Sequence, residues 1–124
     1  VTAGRPRIVV VGEDLIWSER LARLLTGAGA EPAFARDEAT LEAVLPGASG
    51  VIVDLTALRL EPLVAIHSAR AAGVRVLAVG QHDDHELRKR ALAAGAERVY
   101  AYRKLFDDGA ATVKAWLSAS PTTA

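Results

Sequence analysis

The chain has 124 residues, no cysteine, and 15 basic against 15 acidic residues for a formal net charge of +0. That length makes one domain, of a size that buries roughly two-thirds of its unfolded surface, and the absence of cysteine excludes disulfides and thiolate chemistry. Balanced charge and only 5% aromatic content argue against a surface that grips a phosphate backbone or stacks single strands, and so against direct nucleic-acid binding.

Residues 1–6 read as a flexible lead-in; VTAGRPR lacks the long apolar core of a signal peptide. A chain that opens with Val1 and holds no methionine is expected to be a piece of something longer. RIVVV, 7–11, bounded by Gly12, is a buried strand. Trp17, Leu21, Leu24 and Ala28 recur on one face of a helix that GAG at 27–29 closes. EPAFA, 31–35, is a weak second strand, and Asp37 caps a short helix carrying Leu41, Val44 and Leu45. After the turn PGASG comes the strand VIVDL, 51–55, whose polar residue is Asp54. A helix over roughly 62–72 presents Leu63, Ile66 and Ala69, with Arg70 interrupting the stripe. VRVLAVG, 74–80, is a strand. DDHELRKRALAAG, 83–95, is a helix, acidic at its start and ending at glycine. RVYAY, 98–102, is the last strand, and LFDDGAATVKAWL, 105–117, the last helix, with Val113, Trp116 and Leu117 facing inward. SASPTTA, 118–124, reads as a flexible tail or the start of a linker. No apolar run of about 18 residues exists to span a membrane.

Strand and helix alternate five times, and strands 1, 3 and 4 are mostly apolar rather than strictly alternating, as in a parallel sheet covered on both faces. The expectation is an α/β domain over 7–117: a doubly wound, flavodoxin-like sheet of five parallel strands in the order 2-1-3-4-5. Its working site lies at the carboxyl ends of the strands, which points to the loops at 12–15, 54–58, 80–84 and 102–105.

Asp54 ends the central strand. An acid there is a candidate nucleophile for phosphoryl transfer or a ligand for a hard divalent ion such as Mg2+, with Glu13 and Asp14 as the other metal ligands. The plainer alternative is that Asp54 ends a strand and Glu13 and Asp14 cap the first helix; both stay open. VVVGEDLIWS has neither nucleotide-binding glycine pattern, and no serine sits in a GxSxG elbow. His82 and His85, three apart beside acids, are a second candidate metal pair, although polar helix starts often look this way. His67 reads as a surface or packing histidine.

The segments RIVVVGEDLIWSERLARLLTGAG, VIVDL with Asp54, GVRVLAVG and ALAAGAERVYAY, in this order and spacing, make the chain resemble a response-regulator receiver domain over about residues 7–117. The resemblance implies a cytoplasmic, bacterial two-component signalling protein. In such domains a histidine kinase phosphorylates the aspartate of the third strand, an acidic pair binds Mg2+, and a hydroxyl residue and a lysine sense the phosphoryl group. It carries the acceptor role to Asp54 and metal binding to Glu13. It also fails at several positions: Gly12 stands at the first acidic position, Gly80 at the hydroxyl, Tyr102 at the lysine and Arg103 at the following proline. Val99 replaces the switch aromatic, Lys104 comes two residues late, and DLTAL lacks the usual proline. An acyl phosphate adds about two negative charges beside a carboxylate, and the groups that neutralise them are mostly gone.

The leading expectation is therefore an atypical receiver, a regulatory protein-interaction module without the conventional phosphorylation switch. Its partner, a protein or a second copy, would use the face of the fourth helix, fifth strand and fifth helix, where Arg88 and Lys89 are exposed and Asp107, Asp108 and Lys114 lie nearby. One alternative is a phosphoaccepting receiver using Asp54, with Mg2+ on Glu13 and Asp14 and Lys104 reaching the phosphoryl group. Another is a small α/β enzyme or ligand-binding domain using a crevice lined by 80–84 and 102–105.

Overall fold

Five strand–helix units follow one another: β1 (Arg7–Val11), α1 (Leu15–Gly27), β2 (Glu31–Ala35), α2 (Glu38–Val44), β3 (Gly50–Asp54), α3 (Pro62–Ala71), β4 (Arg75–Gly80), α4 (His85–Ala94), β5 (Arg98–Ala101) and α5 (Tyr102–Ser118). The computed structural model describes residues 5–57, 59–81 and 83–118; most of the expected lead-in and tail lie outside that range, as does His82. The strands form one parallel sheet in the order β2-β1-β3-β4-β5, as expected. Pro32 is tolerated because β2 is an edge strand. Among the described residues, no helix is long and apolar enough to cross a membrane.

The period of two along each strand sorts the core into two layers. Val9, Val11, Val51, Val53, Val76, Ala78 and Val99 point to one face, where α2, α3 and α4 supply Leu41, Ile66 and Ala91. Ile8, Val10, Ile52, Leu77 and Val79 point to the other, where α1 and α5 supply Leu21, Leu25, Leu105, Val113 and Trp116. Each fully buried aliphatic side chain contributes about 1.5–3 kcal/mol, so strands and helices share the hydrophobic stabilisation of both layers. Gly50 is small for a packing reason: a Cβ there would sit 2.3 Å from Cη2 of Trp116. The same tryptophan faces the half-buried Arg75–Glu97 ion pair, 2.8 Å from Nε to Oε2, with the Arg75 guanidinium 5.2 Å from the ring centroid.

Caps set most helix starts. Asp37, Glu61 and Asp84 each accept a hydrogen bond from a backbone N–H of the first turn of α2, α3 and α4. Arg70, the misfit in the stripe of α3, lies close beside Gly95 at the end of α4, where a Cβ would come 2.5 Å from Cγ of Arg70.

Two boundaries differ from expectation in ways that bear on the site. β3 is shifted by one residue, and Leu55 turns inward instead of continuing the strand. More consequentially, β5 ends at Ala101 and α5 begins at Tyr102, so 102–105 is helix and not a loop. Nothing in YRKL breaks a helix, and the spacing of Tyr102, Leu105 and Phe106 extends the apolar face of α5 back to its first turn. The interruption comes later, at Gly109, whose φ of 48° and ψ of −128° lie in backbone space open essentially to glycine alone.

Candidate functional site

Asp54 closes β3 at the carboxyl edge of the sheet and is the one buried charged residue among those described, 4% exposed. Its Oδ1 accepts the backbone N–H of Thr56 at 2.9 Å and the Thr56 hydroxyl at 2.7 Å. It also accepts a hydrogen bond from the phenol of Tyr102, and the two hydroxyl oxygens lie 3.3 Å apart. One carboxylate oxygen thus takes three donors. Tyr102 is placed there by the direct passage from β5 into α5. Burial, and then its hydrogen bond to Asp54, push its phenol above the ordinary 10.0.

The other predicted residues are close by but otherwise engaged. A pocket of about 320 Å3 is lined by Glu13, Asp14, Asp54, Thr56 and Ala57. Asp14 caps α1, its Oδ1 accepting from the N–H groups of Ile16 and Trp17 at 2.9 and 3.1 Å. Glu13 reaches across to accept the N–H of Arg59. Lys104 lies on the exposed side of α5, its Nζ 2.7 Å from Asp108 Oδ2, a pairing that raises its pKa from the ordinary 10.5. The structure therefore brings Glu13, Asp14 and Asp54 to one pocket and leaves Lys104 joined to its own helix. One oxygen of each of these acids accepts an N–H or O–H donor, and no group of three acids or histidines among the described residues is arranged to hold an ion. His85 is exposed at the start of α4, and His67 is exposed on α3.

The two glycines at departing positions are explained by their neighbours. A Cβ at Gly80 would lie 3.1 Å from Cδ1 of Leu55, whose side chain fills the space of the expected hydroxyl. A Cβ at Gly12 would lie 3.2 Å from Cβ of Asp54. Val99 is buried, whereas Tyr100 is half-buried on the other face against the α5 layer.

Sequence reasoning passed over Thr56. Its signal is local: a threonine two residues after an aspartate is the spacing at which the carboxylate accepts its backbone N–H. It also missed an aromatic cluster beside the site. Trp17 of α1 stacks on Tyr102 and Phe106 of α5 at centroid distances of 4.6 and 5.1 Å. The Arg20 guanidinium is 5.3 Å from the Trp17 ring and 5.4 Å from Phe106.

No protein-family model matches this sequence, and no curated protein does. Solved structures do. The signal receiver domain of the response regulator NarL from Mycobacterium tuberculosis is similar at a TM-score of 0.78 and 20% identity, over 94% of this chain and 99% of that one. A response regulator from Thermotoga maritima is similar at 0.75 and 22%, over 93% and 99%. A response regulator protein from Burkholderia pseudomallei, solved with a phosphorylated aspartic acid, calcium ion and citrate, is similar at 0.69 and 17%, over 91% and 73%. With the sheet order and the position of Asp54, these likenesses establish that the chain has the fold of a response-regulator receiver domain.

Proposed function

We propose that the chain is an atypical receiver domain, a regulatory protein-interaction module of signal transduction that works without the conventional phosphorylation switch. One observation carries this: Oδ1 of Asp54 is closed by the Tyr102 phenol and by Thr56. A nucleophilic carboxylate has to present an oxygen to phosphorus in line with the leaving nitrogen; three donors cover Oδ1 and draw charge from the whole carboxylate, which lowers the nucleophilicity of Oδ2, the oxygen that takes none of them. The engagement of Glu13 by Arg59, of Asp14 by α1 and of Lys104 by Asp108 points the same way. The partner surface is the face of α4, β5 and α5. There β5 is an edge strand, and open clefts of about 490 and 630 Å3 run beside Arg98 and Tyr100 on either side. Arg88 and Lys89 are exposed on α4, a charge pattern suited to a protein partner or a second copy.

The test is a titration with beryllofluoride, and separately with acetyl phosphate, at millimolar Mg2+. The expected result is no saturable adduct. Saturable binding that Asp54→Asn abolishes would overturn this reading.

A second reading, which the likeness to solved receiver domains supports better than the first, rests on the shared pocket of Glu13, Asp14 and Asp54 at the sheet edge and on the phosphorylated aspartic acid of the similar Burkholderia structure. In it the Asp54 carboxylate attacks a partner kinase's phosphohistidine, the P–N bond breaks as the carboxylate P–O bond forms, and the leaving imidazole nitrogen takes a proton from water. Tyr102 must first leave Oδ1, Glu13 must release Arg59 for Mg2+ to bind with Asp14, and Lys104 must leave Asp108. The same titration separates the two readings. Under the second, Tyr102→Phe accelerates adduct formation; under the first it leaves the protein unmodified.

A further inference from the structure

Between α1 and α5, next to the Asp54 pocket, lies an open cleft of about 870 Å3, within the usual range of small-molecule sites. It is lined on one side by Trp17, Tyr102 and Phe106, and it also includes Gly80 and Gln81. The aromatic ring of Tyr102, standing at the strand tip, forms the part of its wall next to Asp54.

The charges around the cleft are unequal in how firmly they are held. Asp14 is turned to the backbone of α1, Lys104 is paired with Asp108 at 2.7 Å, and Arg103 approaches Asp107 at 3.9 Å. Arg20 differs. Its guanidinium lies against the rings of Trp17 and Phe106, and no carboxylate comes within ion-pair distance of it among the described residues. A cation held by aromatic rings at the mouth of a cleft, with its forked donors uncommitted to any acid, is suited to a carboxylate, sulfonate or phosphate. Trp17 stacks on Tyr102 and Phe106, so the three rings form one continuous apolar wall, and such a wall favours an aromatic body packed on its edges and outer face.

We propose that this cleft binds a planar aromatic molecule bearing an anionic substituent, the ring against Trp17, Tyr102 and Phe106 and the anion on Arg20. The site stands on its own geometry and does not depend on whether Asp54 accepts a phosphoryl group. Because Tyr102 belongs to both the cleft wall and the Asp54 cluster, an occupant would bear directly on the hydrogen bond that covers Oδ1.

The experiment uses two probes of the same shape: 8-anilinonaphthalene-1-sulfonate and the uncharged N-phenyl-1-naphthylamine, titrated while amide and indole NMR shifts are followed. The expected result is saturable binding of the sulfonate, with shifts centred on Gly80, Gln81, Tyr102 and the Trp17 indole. Arg20→Gln, an exposed change that the fold tolerates, should weaken the sulfonate about tenfold and the uncharged probe less than about twofold. Phe106→Ala should weaken both. Non-saturable binding, or shifts centred elsewhere, such as on the exposed Ile16 or Phe34, would overturn the site. Equal sulfonate affinity in the wild type and Arg20→Gln would overturn the anionic class of ligand.

Discussion

Oδ1 of Asp54 has three donors, and Tyr102 is the one that comes from far along the chain, 48 residues away. Removing its hydroxyl leaves both Thr56 bonds in place, so the cost is one hydrogen bond to a charged acceptor. Tyr102→Phe is expected to lower unfolding stability by about 1–2 kcal/mol, read from the urea midpoint. The pH dependence has a definite sign. A phenol whose folded pKa is raised contributes stability that is fully present below its ordinary 10.0 and is lost as pH climbs through the folded value. Alkaline titration of the wild type should therefore show a tyrosine that ionises late, and Tyr102→Phe should abolish that step. Little of this bond could be seen in advance. Asp54 at the tip of a central strand was legible, because strand ends in doubly wound sheets are where chemistry sits. That a tyrosine would cover it depends on where a helix begins, and YAYRKL marks no boundary between strand and helix.

At the level of elements, α5 is where expectation and structure part most. Its apolar spacing after 105 was readable. Its first turn was not, because Tyr100 and Tyr102 alternate as a strand would while Tyr102 and Phe106 also fit a helix, and only packing against Trp17 decides between them. The far end of α5 is joined to the sheet by the Arg75–Glu97 pair beneath Trp116, with side chains 13% and 10% exposed. The Arg75 guanidinium, with a smaller contribution from the Trp116 indole, holds the Glu97 carboxyl below the ordinary 4.5 against the opposing effect of burial. A depressed carboxylate stabilises above its ordinary value, and that stability is lost as pH falls through the folded one. Glu97→Gln should thus cost about 2 kcal/mol at pH 7, and the gap from wild type should narrow in acid. Chemical denaturation at pH 7 and at pH 3 checks both.

For the whole molecule, the sheet order was legible because it follows from a few strong constraints. Strands apolar on both faces need helices on both sides, and right-handed crossovers then leave little choice. Function is less tightly constrained by the fold, and it turns on the side chains around one carboxylate. If the module acts through contact and not through phosphorylation, its self-association should ignore the phosphodonor. Sedimentation profiles with and without acetyl phosphate and Mg2+ should superimpose, and a shift that needs Asp54 would count against the proposal. The passage from Ala101 straight into α5 has a further consequence, for how such a site could change over generations. Deleting Tyr102 and Arg103 would bring Lys104 to the strand tip, yet it would also turn the helical turns before Gly109 by roughly 200° and carry Leu105 out of the core. The covered aspartate is thus insulated from slippage: a substitution can place a lysine at that tip, while the shorter-looking route by deletion passes through a protein whose core has lost Leu105.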